Sequence, residues 1–198
     1  MAASPKRVSW DACAWIAYIG KEQIRDAKGL VTEDRYKLGR VILEAAEKGA
    51  IEIAISALCF AEVAKNPSGA PADEDLIAAF FEHDYILPVP LDKQVGVEAR
   101  KLLRAGYSKL KPPDAVHVAT AIVANVDEMH TYDDKLLALD GKLSKLDGTV
   151  LKICKPAHGG PPLPLLDPDL IEALTEPDFA PPPPKPAPEG SNDPKAGD

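Results

Sequence analysis

Pro113-Asp114-Ala115-Val116-His117-Val118-Ala119-Thr120-Ala121-Ile122 is the stretch on which the reading of this chain turns. Pro112 and Pro113 sit where a helix begins, since proline in the first turn has no N–H to lose. The helix is expected to run to about Asn125, and it is apolar on almost every side, so it should be buried. Its first turn nevertheless carries an acid, Asp114. Close behind it comes a short strand candidate, Glu128 to Thr131, so the stretch is one unit of a helix–strand alternation.

Working outward, the alternation continues in both directions. Val8-Ser9-Trp10 reads as a strand ending at Asp11, followed by an apolar helix from Ala12 to Gly20. Thr32 is expected to open a second helix, with Leu38, Val41, Ile42 and Ala45 on one face and Gly49 just past its end. Ile51 to Ile55 is β-branched and reads as a strand, and Ala57 to Lys65 as a helix stopped by Asn66-Pro67. Helices over Asp73–His83 and Asp92–Arg104 flank a strand around Tyr85–Val89. Asp134 to Leu139 reads as a short helix and Thr149 to Cys154 as a last strand. Such alternation argues for an α/β fold, a parallel sheet covered on both faces.

Residues 1–155 are read as one domain, and 156–198 as a proline-rich acidic tail. Thirteen of the 20 prolines lie in that tail. It also holds eight acids against two lysines, a net −6 of the chain's −8. This composition cannot bury a core and is expected to be largely disordered. The body is then nearly neutral and does not advertise a nucleic-acid partner by charge alone. No uncharged apolar run approaches the roughly 18 residues of a membrane span. Asp11 interrupts any signal-peptide core, so a cytoplasmic location and no membrane partner are expected. Cys13, Cys59 and Cys154 are odd in number and far apart, which suggests neither a disulfide framework nor a zinc site.

Ligands of open parallel sheets bind beyond the carboxyl ends of the strands. Four acids are placed there: Asp11 after the first strand, Glu62 on the helix after the second, Asp114 in the buried helix, and Asp133 after the strand ending at Thr131. Acids among apolar neighbours are costly unless paired or metal-bound, and a hard-oxygen set suits Mg2+ or Mn2+. Each also has a plainer reading. Asp11, Asp114 and Asp133 can be helix caps, and Glu62 can pair with a buried Arg or Lys. His117, one turn beyond Asp114, reads first as a satisfied core histidine. Lys109 and Lys111 either contact RNA phosphates or belong to a solvated face.

The segments Val8–Cys13, Ile55–Val63, Pro113–Ala121 and Thr131–Asp133 resemble the four motifs of PIN-domain ribonucleases, particularly the VapC-like toxin subgroup. The resemblance covers roughly residues 6–155. It implies a three-layer α/β/α sandwich around the parallel sheet, and metal-dependent RNA cleavage leaving 5′-phosphate and 3′-hydroxyl ends. Asp11, Glu62, Asp114 and Asp133 match the family's catalytic, metal-binding acids, and Thr131 matches a supporting hydroxyl. An antitoxin protein and a second copy of the chain are the protein partners it implies. Two departures stand out. Ala12-Cys13 replaces the polar residues usual after the first acid and is expected to loosen support of the metal, and the proline-rich tail has no counterpart in the usual short toxin. Asp134 is an alternative to Asp133, and a non-catalytic PIN-like module that binds RNA or protein is the rival function.

Overall fold

The computed structural model describes residues 4–63, 74–107 and 110–157. In chain order its elements begin β1 (Lys6–Trp10), α1 (Ala12–Ile19), β2 (Gln23–Arg25), β3 (Val31–Asp34), α2 (Arg35–Glu47), β4 (Ile51–Ser56) and α3 (Ala57–Val63). They continue with α4 (Glu74–Phe81), β5 (Ile86–Val89), α5 (Lys93–Arg104), α6 (Pro112–Val123), β6 (Glu128–His130), α7 (Asp134–Leu137) and β7 (Lys152–Cys154). Five strands form one parallel sheet in the order β5-β4-β1-β6-β7.

The two faces of this sheet arise from the period-two alternation of its strands. Val8, Trp10, Ile53 and Ile55 pack with Trp15, Tyr18, Ile42 and Leu43 of α1 and α2. Ala54, Met129 and Ile153 join the opposite cluster, with Val95 and Ala99 of α5 and Val118 and Ile122 of α6. Helix, sheet and helix therefore form three layers, as the alternation and the family resemblance both implied. The α6 stretch is buried on nearly every side, with Ala115, Val118, Ala119 and Ala121 fully enclosed. Small side chains on α6 and at Ala54 let the helix lie close to the sheet.

One region differs from expectation. Thr32 does not open a helix; it lies in β3, paired antiparallel with β2. Asp34 ends that strand and caps α2, its carboxylate accepting the Lys37 amide at 2.9 Å. The turn between the strands is closed by Asp26, which accepts the amides of Lys28 and Leu30 at 2.8 and 2.9 Å. Gly29 supplies the positive φ of +82° that this turn requires. The hairpin's strands are short and mostly solvent-facing, so they carry no apolar alternation for the sequence to reveal.

Strand register matters most for function. Trp10 lies opposite both Ile55 and His130, so β1 and β6 end level and β4 runs one residue further. No helix among the described residues is long and apolar enough to cross a membrane. Pro156 is buried against the body. The expected tail, apart from its first two residues, lies outside the described residues.

Candidate metal centre

Three of the four acids are delivered to the carboxyl edge of the sheet by a strand end or a helix start, and Glu62 by the helix that follows β4. Asp11 comes directly after β1 and caps α1, accepting the Ala14 amide at 3.0 Å. Its own amide donates to the His130 carbonyl at 3.4 Å, which ties it to the neighbouring strand. Asp133 caps α7, accepting the Lys135 amide at 2.7 Å. Asp114 stands at the third position of α6 and reaches back to accept the Lys111 amide at 3.0 Å. Glu62 projects from α3, the helix that continues β4. The capping reading of three acids is thus correct as local structure, and it coexists with a shared site. All four line a single cleft of about 340 Å³, together with Cys13 and His117.

The electrostatics of this cleft are unbalanced. Among the described residues no lysine or arginine pairs with any of the four acids, and the one basic partner is His117, whose Nε2 lies 2.6 Å from a Glu62 oxygen. Asp114, Asp133 and Glu62 each engage one carboxylate oxygen in these contacts, and the second oxygen of each meets no donor among the described residues. Asp11 is only 4% exposed. Burial pushes its carboxyl above the usual range, opposed by hydrogen bonds from Cys13, Thr131 and Ala14 and by the nearby His117. Carboxylates that share one cleft, with open oxygens and no lysine or arginine partner among the described residues, suit a hard divalent cation.

The acids span the cleft and do not form a tight cage. Among the described residues, only Glu128, His130 and Cys154 place three potential ligand atoms all within 4.8 Å of one another. A wider arrangement suits a hard divalent cation that keeps several waters and takes few protein ligands. The tighter trio does not fit a metal. Glu128 already accepts hydrogen bonds from Lys152 at 2.7 Å and His130 at 3.1 Å and pairs with Lys6 at 2.9 Å. Trp10 donates to His130 Nδ1 at 3.1 Å. An indole N–H can only donate, so Nδ1 keeps its lone pair and Nε2 carries the proton aimed at Glu128. His130 then has no free lone pair to offer. The trio is a structural polar network, in which His130 first, then Lys152 and Lys6, hold the Glu128 carboxyl well below the usual carboxylate range.

Support around the acids is denser than expected. Thr131 Oγ1 donates to Asp11 at 2.5 Å and accepts the Asp133 amide at 3.0 Å, so one buried hydroxyl joins two of the acids. Ala12-Cys13 does not leave Asp11 loose. The Cys13 sulfur lies 2.9 and 3.1 Å from the two Asp11 oxygens. It also accepts the Tyr132 amide at 3.2 Å. Burial, then the Asp11 charge, pushes this thiol up to about 12, so it stays protonated. His117 is buried, as expected, but it faces the cleft and Glu62. Its spacing of one turn from Asp114 was the available signal. Asp134, the alternative fourth acid, is exposed and does not line the cleft. Lys111 is exposed at the start of α6, whereas Lys109 lies outside the described residues.

The PIN domain family model matches residues 10–142, about two thirds of the chain. The chain belongs to the PIN domain family. Its structure is similar to that of VapC20 from Mycobacterium tuberculosis, described as a sarcin-ricin loop cleaving toxin. That match has 12% identity and a TM-score of 0.48 over 64% of this chain and 90% of that one. It is also similar to VapBC2 from Rickettsia felis, solved bound to a DNA fragment from its promoter. Here identity is 14% and the TM-score 0.48, over 74% of this chain and 98% of that one. No curated protein sequence gives a significant match.

Proposed function

We propose that this protein is a divalent-metal-dependent endoribonuclease that hydrolyses RNA phosphodiester bonds, acting as the toxin of a toxin–antitoxin pair. The observation that carries the nuclease reading is the cleft itself: four carboxylates at one sheet edge, of which, among the described residues, three keep an open oxygen and none is paired with a basic side chain other than His117. Family membership supports the hydrolase class, and the motif resemblance supports the toxin assignment.

Asp11, Asp114 and Asp133 would hold a divalent metal in this cleft, which would supply Lewis acidity to a water and to the phosphate being cleaved. Glu62, steadied by His117, orients the attacking water or holds a second ion. Thr131 fixes the spacing of Asp11 and Asp133 through its two hydrogen bonds. Lys109 and Lys111, just ahead of Asp114, bind phosphates of the RNA strand. An antitoxin and a second copy of the chain are the protein partners of this reading, and the cytoplasm is its location.

The test is cleavage of single-stranded RNA by the full chain in Mg2+ or Mn2+, compared with Asp114→Asn. The substitution removes a charge and keeps the side-chain volume. We expect the variant to fold and to lose at least about a hundredfold in rate, as loss of a group stabilising transition-state charge typically does. Wild-type cleavage by Asp114→Asn would remove Asp114 from the ligand set. No cleavage by either protein, with RNA still bound, would favour the non-catalytic module.

A further inference from the structure

We infer that Cys13 is a positioning residue for the metal site, its thiol holding the Asp11 carboxylate in place and tying it to the segment that carries Asp133. The inference rests on the metal-site reading and deepens it.

Proton accounting fixes the direction of each contact. The Tyr132 amide can only donate, so the sulfur accepts from it. An ionised Asp11 can only accept, so the S–H is directed at its oxygens, 2.9 and 3.1 Å away. The same sulfur lies 3.4 Å from the Thr131 hydroxyl, which itself donates to Asp11. Cys13 therefore bridges the first turn of α1 to the connection between β6 and α7, across 119 residues of sequence. Asp11 lies at one end of this bridge, and Asp133 comes after Tyr132 at the other. Without the thiol, Asp11 would keep the Ala14 amide and Thr131 but lose the donor that touches both its oxygens. Its segment would also lose the link to Tyr132.

A thiol in this place has a specific consequence for substitution. Serine also donates and accepts, so it preserves the bridge. Alanine and valine do neither. Valine, somewhat larger than cysteine, fills the space that alanine leaves and serves where the alanine variant does not fold.

The experiment is a thermal-melting titration of the full chain with Mn2+, for wild type, Cys13→Ser, Cys13→Ala and Cys13→Val, each also in an Asp11→Asn background. Binding to the folded state raises the melting temperature by an amount set by the ratio of free Mn2+ to its Kd, so the Mn2+ concentration that gives a fixed rise reports affinity without reference to activity. We expect Cys13→Ala or Cys13→Val to need about 10- to 100-fold more Mn2+, the usual cost of removing an outer partner of a metal ligand. Cys13→Ser should need no more than about threefold extra, and in Asp11→Asn the Cys13 substitutions should have no further effect. Wild-type Mn2+ dependence in the alanine or valine variant overturns the inference while leaving the metal site intact. A serine variant as impaired as alanine also overturns it, because packing and not hydrogen bonding would then be the cause. A wild-type protein that Mn2+ does not stabilise overturns the metal-site reading and this inference together.

Discussion

At the scale of the residue, the recurring theme is that one carboxylate serves two purposes. Asp11, Asp114 and Asp133 each satisfy backbone N–H groups at a helix start and still face the cleft. A helix start favours negative charge, which lessens the cost of gathering these acids. The contrasting acid is Glu128, which lies outside the cleft in a network with His130, Lys6 and Lys152. Its carboxyl is held below the unfolded value of 4.5, so the charged form is favoured in the folded state. Its contribution is therefore complete above about pH 4.5 and is lost as pH falls through the lower folded value. Glu128→Gln should cost about 1.5–3 kcal/mol at pH 7, the scale of hydrogen bonds to a charged group. Melting curves of wild type and Glu128→Gln should converge as pH drops from 5 toward 3; a gap that persists or widens would mean that the carboxylate charge is not what the network uses.

At the scale of the element, β1 and β6 decide the site because they are parallel neighbours that end level, Trp10 against His130. The residues leaving the two strands must therefore emerge side by side, Asp11 from β1 and Thr131-Tyr132-Asp133 from β6. The next residue, Asp134, is the first of α7 and points to solvent. Asp133→Asn should therefore reduce RNA cleavage by at least about tenfold more than Asp134→Asn, a difference of about 1.4 kcal/mol in the barrier. Steady-state rates for the two variants measured side by side decide the matter, and the reverse order would place the fourth acid one residue later.

At the scale of the whole molecule, all five strands of the sheet lie between Lys6 and Cys154. The family match ends at residue 142. Residues 158–198, acidic and proline-rich, lie outside the described residues. We expect removal of 158–198 to shift the melting temperature by no more than a few degrees, on the scale of about 1 kcal/mol. The cut is placed after Ala157 because Pro156 is buried against the body. RNA binding should be equal or tighter in the truncated protein, because eight acids and only two lysines leave with the tail. An unfolded or insoluble truncated chain would move the domain boundary into the tail.

The features that the sequence determined by itself are local ones. Apolar periodicity marked α6 as a buried helix, β-branched runs marked β4, and acids at strand ends marked the cleft, because each depends on neighbours within a few residues. The β2–β3 hairpin escaped because its polar, exposed strands carry no periodic burial. Tertiary structure alone decided how the side chains are used. Glu62 meets His117 across 55 residues, and Cys13 meets Tyr132 across 119. Hydrogen bonds of this kind depend on distances and angles between segments that only the packed sheet brings together. The same dependence made Cys13, a loss of support when read in the chain, a donor to Asp11 in the fold.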